Sequence, residues 1–327
     1  MKLRIATFNL ENLDDIPGES PTLQQRIEVL RPQLERLEAD VLCFQEVHGQ
    51  ETAGRPRELL ALRELLDTTP YSTFNIASTM TTDNVVYDER NLVIVSRFPL
   101  SDINQVKHEY IDEPLYRKVT AKPKETEAKK ISWERPIFYA KVTAGGNGFT
   151  FHLINLHLKS RNPVNIEGQN SEEYWKWKSG AGWAEGFFIS SMKRVGQALE
   201  TRVLIDSVFD TDEEAKIVIC GDFNAHPGEV PVEAICGRVE NTSNPDLNRR
   251  VMLTCEDTIP EPARYTYLYH GQKNLLDHML ISKAMLPYYR AAEIHNETLH
   301  DESLAFALDT KFPESDHAPF VAEFEIP

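Results

Sequence analysis

Cysteine is scarce in this 327-residue chain: Cys43, Cys220, Cys236 and Cys255 are all it has, and no two of them form a CxxC pair. Cys43 and Cys220 lie inside apolar runs, so buried reduced thiols are expected rather than disulfides or a zinc site. No uncharged apolar run is long enough to cross a bilayer, and no stable membrane association is expected. The opening stretch is charged but lacks an apolar segment of signal length, because Asn9, Glu11 and Asn12 interrupt it; a cytoplasmic site is the expectation. Positive charge is also short. Lys and Arg number 35 against 51 Asp and Glu, a net charge of −16, which argues against coating nucleic acid by bulk charge. One segment opposes that balance, with Arg117, Lys118, Lys122, Lys124, Lys129, Lys130 and Arg135 gathered in a loop that presents a local positive surface. Internal repeats, low-complexity segments and Gly/Ser linkers are missing as well, so one domain over residues 1–327 is expected, with insertions near 111–135 and 162–186.

What the chain has in quantity is short β-type runs: Leu3–Phe8, Val41–Gln45, Leu92–Ser96, Ile137–Val142, Thr150–Leu156, Lys216–Cys220, Leu275–Ile281 and Phe320–Ile326. A first helix is expected between the first two runs, with Ser20 as N-cap, Pro21 in its first turn, and Leu23, Ile27, Leu30, Leu34 and Leu37 on one stripe. A second fits Pro56–Leu66. A third fits Phe187–Phe209, where Phe188, Met192, Val195, Leu199 and Val203 recur at three or four residues. Helices do not alternate regularly with strands, so a doubly wound parallel sheet is a poor fit.

Five segments share one design, an apolar run ending in Asn, Asp, Glu or His. They are Ile5–Glu11, Val41–Glu46, Ile154–Lys159, Ile217–Asn224 and Ser315–His317. Polar groups at the ends of core strands are costly unless paired, so five such clusters point to convergence on one site. Hard oxygen donors suit Mg²⁺ or Mn²⁺, which accepts one or two carboxylates and keeps its waters, and Glu46 is the best first ligand.

Taken in order, these segments resemble the endonuclease/exonuclease/phosphatase superfamily, which includes deoxyribonuclease I, apurinic endonucleases, sphingomyelinases and inositol polyphosphate phosphatases. The most specific marks are Gly221-Asp222-Phe223-Asn224 and Ser315-Asp316-His317, with Asn9, Gln45-Glu46 and Leu276-Asp277-His278-Met279 completing the set. The resemblance implies an α+β fold, a two-layer α/β sandwich of two packed, mostly antiparallel sheets flanked by helices. It implies a divalent-metal-dependent phosphodiesterase, with Asn9 and Asp316 assisting Glu46 at the metal and a second metal position near Asp222 and Asn224 left open. His317, oriented by Asp277, is then a general base or a phosphate stabiliser. Asp222 alternatively activates water, and Asn224 supplies an amide donor to the phosphate.

His157 is similar to the histidine of deoxyribonuclease I-like and sphingomyelinase-like members, where apurinic endonucleases carry tyrosine, and it is expected to protonate the leaving oxygen or bind phosphate. Asn155 and Lys159 share its strand parity and are expected beside it as substrate contacts. Arg135-Pro136 is similar to the strand entry that touches the substrate backbone. Trp175, Trp177 and Trp183, with Lys176 and Lys178, form either a base-stacking platform or a packed lid. His48, His152, His270 and His278 are read as surface or packing residues. The expected activity is hydrolysis of nucleic acid, DNA or RNA. A lipid or small phosphoester, as in sphingomyelinases, is the first alternative, and a non-catalytic binding module on the same fold the second. Leu276-Asp277-His278 departs from the Cys-Asp-Arg of inositol polyphosphate 5-phosphatases, which disfavours that branch.

Overall fold

The computed structural model describes residues 1–146, 148–171, 176–308 and 310–327. Its strands are, in chain order, β1 (Lys2–Leu13), β2 (Val41–Val47), β3 (Asn75–Ser78), β4 (Asn91–Ser96), β5 (Leu100–Val106), β6 (Leu115–Tyr116), β7 (Lys129–Lys130) and β8 (Ile137–Ala144). There follow β9 (Phe149–His157), β10 (Ile217–Asp222), β11 (Met252–Thr254), β12 (Tyr267–Tyr269), β13 (Gln272–Asn274), β14 (Asp277–Ser282), β15 (Tyr289–Ile294) and β16 (Phe320–Glu325). The α-helices are α1 (Leu23–Leu37), α2 (Leu60–Leu66), α3 (Gly180–Thr211), α4 (Val230–Cys236), α5 (Val239–Thr242) and α6 (Glu302–Leu308).

Two mixed six-stranded sheets result, in the orders β15-β16-β1-β2-β4-β3 and β11-β14-β10-β9-β8-β5. Leu3, Ile5, Val41 and Ile94 of the first sheet interlock with Phe138, Phe151, Leu153 and Met279 of the second to make the central core. The outer face of the first sheet is closed by α1 and α2, that of the second by α3 and α4. This is the expected two-layer sandwich. Each sheet holds one parallel pair, β1 with β2 and β9 with β10, and the remaining neighbours are antiparallel. The connections between parallel strands run through α1 and α3, so the carboxyl ends of each parallel pair arrive together.

Local chemistry moves several boundaries from their expected places. Thr22, not Ser20, caps α1: its hydroxyl accepts from the Gln25 amide at 3.3 Å while the Gln25 side chain accepts from the Thr22 amide at 2.8 Å, a capping box. Helix α3 starts at Gly180, earlier than Phe187, because Ser179 caps it through the Gly182 amide at 3.0 Å. Its glycines weaken the helical signal but permit close packing; a Cβ on Gly196 would lie 2.6 Å from the Trp133 ring. The buried stripe also differs. Phe188 and Leu199 are exposed, and α3 instead buries Ile189, Arg194, Gln197, Ala198, Thr201 and Ile205. That polar face is used: Arg194 donates to the carbonyls of Lys159 and Ser160 at 3.0 and 3.1 Å, and Gln197 to that of Arg135 at 3.0 Å.

Candidate active site

The carboxyl ends of the two parallel pairs meet at one rim of the sandwich. Asn9 ends the regular pairing of β1 with β2, Glu46 stands near the end of β2, and in the second sheet His157 of β9 is in register with Asp222 of β10. Glu46 reaches the rim through a bulge. Phe44 and Val47 both pack against the helices of the outer face, and the pairing of β2 with β4 shifts between them. The extra residue takes φ of 58°, which re-aims its carboxylate toward the rim at a conformational cost of about 1–2 kcal/mol. Gly221 carries φ of 138°, and a Cβ there would sit 2.0 Å from the carbonyl oxygen of Leu156; the tight passage delivers Asp222 beside His157.

The result is a cleft of about 660 Å³. Carboxylates and amides from Asn9, Glu11, Glu46, Asp222 and Asp316 line its floor, Arg90, Arg135 and Arg161 provide its cations, and Tyr267, Tyr269 and Phe306 form an aromatic side. His317 Nδ1 contacts Asp277 Oδ2 at 2.7 Å, and its Nε2 faces Asp222 Oδ2 at 3.9 Å. Asp277 stands behind the imidazole rather than in the cleft, its amide donating to Thr266 Oγ1 at 3.2 Å. Ser315 ties the tripeptide down by donating to the Asn9 carbonyl at 2.7 Å and accepting from the His317 amide at 3.1 Å. His157 Nε2 lies 3.4 Å from Asp222 Oδ2 and 3.5 Å from Glu46 Oε1.

Charge in the cleft is unbalanced. Burial raises the Asp222 carboxyl to about 7, opposed by His317 and reinforced by Asp277 and Glu46. Burial likewise raises Asp316 to about 7 and Glu11 to about 8, with neighbouring carboxylates adding to the shift. His317 is pushed well above the ordinary imidazole range, since Asp277, Asp316 and Asp222 together outweigh its burial. His157 goes the opposite way, held neutral by burial and by Arg135. Arg135 is itself buried, and Nε and Nη1 of its guanidinium have no hydrogen-bond partner, with Glu134 4.0 Å from Nη2. Buried donors left open in this way suit an anion. Among the described residues, donor atoms of Asp222, Asp277 and His317 also lie within 4.8 Å of one another. The contact between Asp277 and His317 already occupies two of them.

Three expected contacts are corrected. Asn155 is fully buried between the sheets, two residues deeper than His157. Its amide donates to the carbonyls of Phe44 and Val93 at 3.0 and 3.1 Å and accepts from Gln45 at 2.7 Å, so it fastens the sheets together and does not line the cleft. Asn224 lies in the cleft but has spent its amide donors on Asp222 Oδ2 at 2.9 Å and the Leu158 carbonyl at 3.2 Å, so it orients Asp222 and has no free donor for phosphate. Lys159 is not among the residues that line the cleft, and its ammonium donates to Ser160 Oγ at 2.8 Å.

In the basic loop, Lys129 and Lys130 pair with Glu125 and Glu113 at 3.0 and 2.9 Å, and of the cations of that segment only Arg135, at its end, lines the cleft. Of the tryptophans, Trp175 lies outside the described residues, Trp177 packs in a small core with Ile166 and Ile189, and Trp183 stacks on Phe187 at 5.5 Å on the outer surface. No platform is assembled from the described ones. Arg90, Arg161 and Tyr267 join the cleft without any sequence signal, the two arginines on connections and Tyr267 on the short strand β12, whose paths depend on the whole fold. Glu11 was visible at the end of its run, but its φ of 46° made its direction unreadable.

Residues 6–317 match the model of the endonuclease/exonuclease/phosphatase family, and the chain belongs to that family. Its members are mostly metal-dependent phosphoester hydrolases. Solved structures with this fold include an endonuclease/exonuclease/phosphatase protein from Bacteroides vulgatus (18% identity, all of both chains, TM-score 0.57). A mannosyl-6-phosphatase from Bacteroides thetaiotaomicron (13% identity, 99% of this chain and 100% of that one, TM-score 0.59) is similar as well. So is an AP endonuclease from Archaeoglobus fulgidus (16% identity, 99% and 100%, TM-score 0.51). No curated protein matches the sequence.

Proposed function

We propose that this protein is a divalent-metal-dependent phosphodiesterase that hydrolyses nucleic acid. The observation that carries the reading is the unsatisfied guanidinium of Arg135 in the same cleft as the Asp277-braced His317, a pair of cations facing a row of carboxylates. An anionic phosphodiester answers the first two, and a divalent cation answers the third.

The donor set fits such a cation. Carboxyls raised to about 7 at Asp222 and Asp316 are crowded anions short of counter-charge, and a bound metal reverses that logic. Glu46 and Asp316 would hold Mg²⁺ or Mn²⁺, with the side-chain oxygen of Asn9 beside them; the ion would polarise the phosphoryl oxygens and neutralise charge developing there. Arg135 binds the nonbridging oxygens through its free N–H groups. Asp222 is aimed by Asn9 at 3.2 Å and by the Asn224 amide N–H at 2.8 Å, and its carboxylate accepts the proton of the attacking water. His317, charged and fixed by Asp277, stabilises the phosphate or delivers a proton to the leaving oxygen. His157 remains neutral, with Nε2 3.4 Å from Asp222 Oδ2, and does not serve as the acid.

The test is a substrate panel of plasmid, single-stranded DNA, RNA, sphingomyelin and bis-p-nitrophenyl phosphate with Mg²⁺, Mn²⁺ and Ca²⁺. Cleavage of nucleic acid that stops with chelator and returns with Mg²⁺ or Mn²⁺ is expected. Turnover of lipid alone would sink the nuclease reading, and full activity in chelator would remove the metal.

A further inference from the structure

The aromatic side of the cleft is not needed for phosphate chemistry. Tyr267 on β12 bridges to His317 in the backbone, and its ring lies 5.4 Å from the His317 imidazole. Tyr269, two residues along the same strand, stacks on Tyr267 at 6.4 Å with 19° between the planes. The rings therefore step outward from His317 in one direction, and the last is open to solvent, with Tyr269 40% exposed. Helix α6 adds Phe306, 76% exposed, to the lining of the same cleft. Gln272 and Asn274 of β13 add side-chain amides to this wall.

The lip is held rigid. The β12–β13 turn is made by His270 and Gly271, both at positive φ, and their amides donate to Asp301 at 3.0 and 2.6 Å. Asp301 also accepts from the Ser303 amide at 2.9 Å, so a single carboxylate fastens the hairpin tip to the start of α6. Flat rings held at a fixed spacing, with amides alongside, match a planar heteroaromatic group better than a flexible chain.

Resting on the nuclease reading, we infer that Tyr269 and Phe306 form a stacking lip that receives an unpaired nucleobase next to the phosphate held at Arg135 and His317. An acidic protein with net charge −16 cannot rely on bulk attraction for nucleic acid, and stacking provides affinity that is indifferent to that charge. Bases inside a duplex are closed to a lip of this kind, so the inferred substrate is single-stranded or frayed. Leu304 and Leu308 are also exposed on α6, which makes a lipid surface the competing occupant.

The experiment compares cleavage of a single-stranded oligonucleotide with that of the same strand carrying an abasic residue beside the cleaved bond. The wild type should favour the base-bearing strand by roughly tenfold in kcat/KM, mainly through KM. Tyr269→Ala and Phe306→Ala should bring that ratio close to one, and Tyr269→Phe should restore it; circular dichroism confirms that the variants are folded. Equal cleavage of both strands by the wild type overturns the lip. So does a preserved ratio in folded Tyr269→Ala and Phe306→Ala, or loss of sphingomyelin-vesicle binding in Phe306→Ala without change in the ratio. Failure of the nuclease reading looks different: the wild type would hydrolyse bis-p-nitrophenyl phosphate but no oligonucleotide.

Discussion

Adjacent residues on β14 enter two buried carboxylate–imidazole pairs that look alike in chemistry and differ in consequence. Asp277 meets His317 Nδ1 at 2.7 Å, and one residue later His278 Nδ1 meets Glu256 at 2.6 Å. What separates them is the second ring nitrogen. His278 gives its Nε2 proton to the Ala225 carbonyl at 2.8 Å and is fully buried, so both nitrogens are spent on holding the fold. His317 turns Nε2 to the cleft, with Asp222 3.9 Å away. Strand alternation enforces the split, since successive side chains of β14 point to opposite faces. An imidazole braced on one side and free on the other can act on a substrate, whereas one braced on both sides can only stabilise.

The contrast can be broken most sharply at the open end. His317→Ala should lower kcat by at least ~10²-fold while the melting temperature stays near that of the wild type; near-normal turnover would take His317 out of the mechanism. At the closed pair the order of effects reverses. Glu256→Ala removes the partner of a buried imidazolium and should cost about 3 kcal/mol in denaturant unfolding, with kcat per folded molecule little changed. A loss of turnover without loss of stability would show that the two pairs are coupled.

Asp277→Asn keeps the shape of the open pair but changes its charge, and a fall in kcat of roughly tenfold to a hundredfold is expected, with a shifted pH–rate profile. An unchanged profile would leave Asp277 as packing. The smallest effect is a pH dependence of stability. Burial opposes charge on His278, but the charge and hydrogen bond of Glu256 outweigh it and raise the pKa above the ordinary 6.5. A raised folded-state pKa means stability that is fully present below about 6.5 and is lost as pH climbs through the raised value. The stability gap between wild type and Glu256→Gln should therefore narrow as the pH rises above 6.5; a gap that widens would show that His278 is neutral in the fold.

Much of this architecture is written locally. The apolar runs of Leu3–Phe8, Val41–Gln45 and Thr150–Leu156 lie within β1, β2 and β9, and the polar residues that end them, Asn9, Glu46 and His157, reach the cleft. Strand periodicity and the expense of leaving polar groups at strand ends are short-range facts, so a sequence displays them. Parity alone misplaced Asn155, because it states which face a side chain takes and not how deep along the strand the cleft begins. The stripe on α3 was misassigned for a related reason: Arg194 and Gln197, buried against carbonyls of the connections beside β9 and β8, interrupt the apolar face that Ala198, Leu204 and Ile205 continue.

From the sequence by itself come the class of chemistry, the strand ends that carry it and the family in which they recur. Tertiary structure alone decided that Asp277 braces a histidine of the cleft while His278 is spent in a core, that a bulge turns Glu46 to the rim, and that Tyr269 and Phe306 line the same cleft. Those outcomes depend on pairings between residues far apart in the chain, such as Asp277 with His317 or Asn9 with Asp222, and no local pattern encodes such a distance.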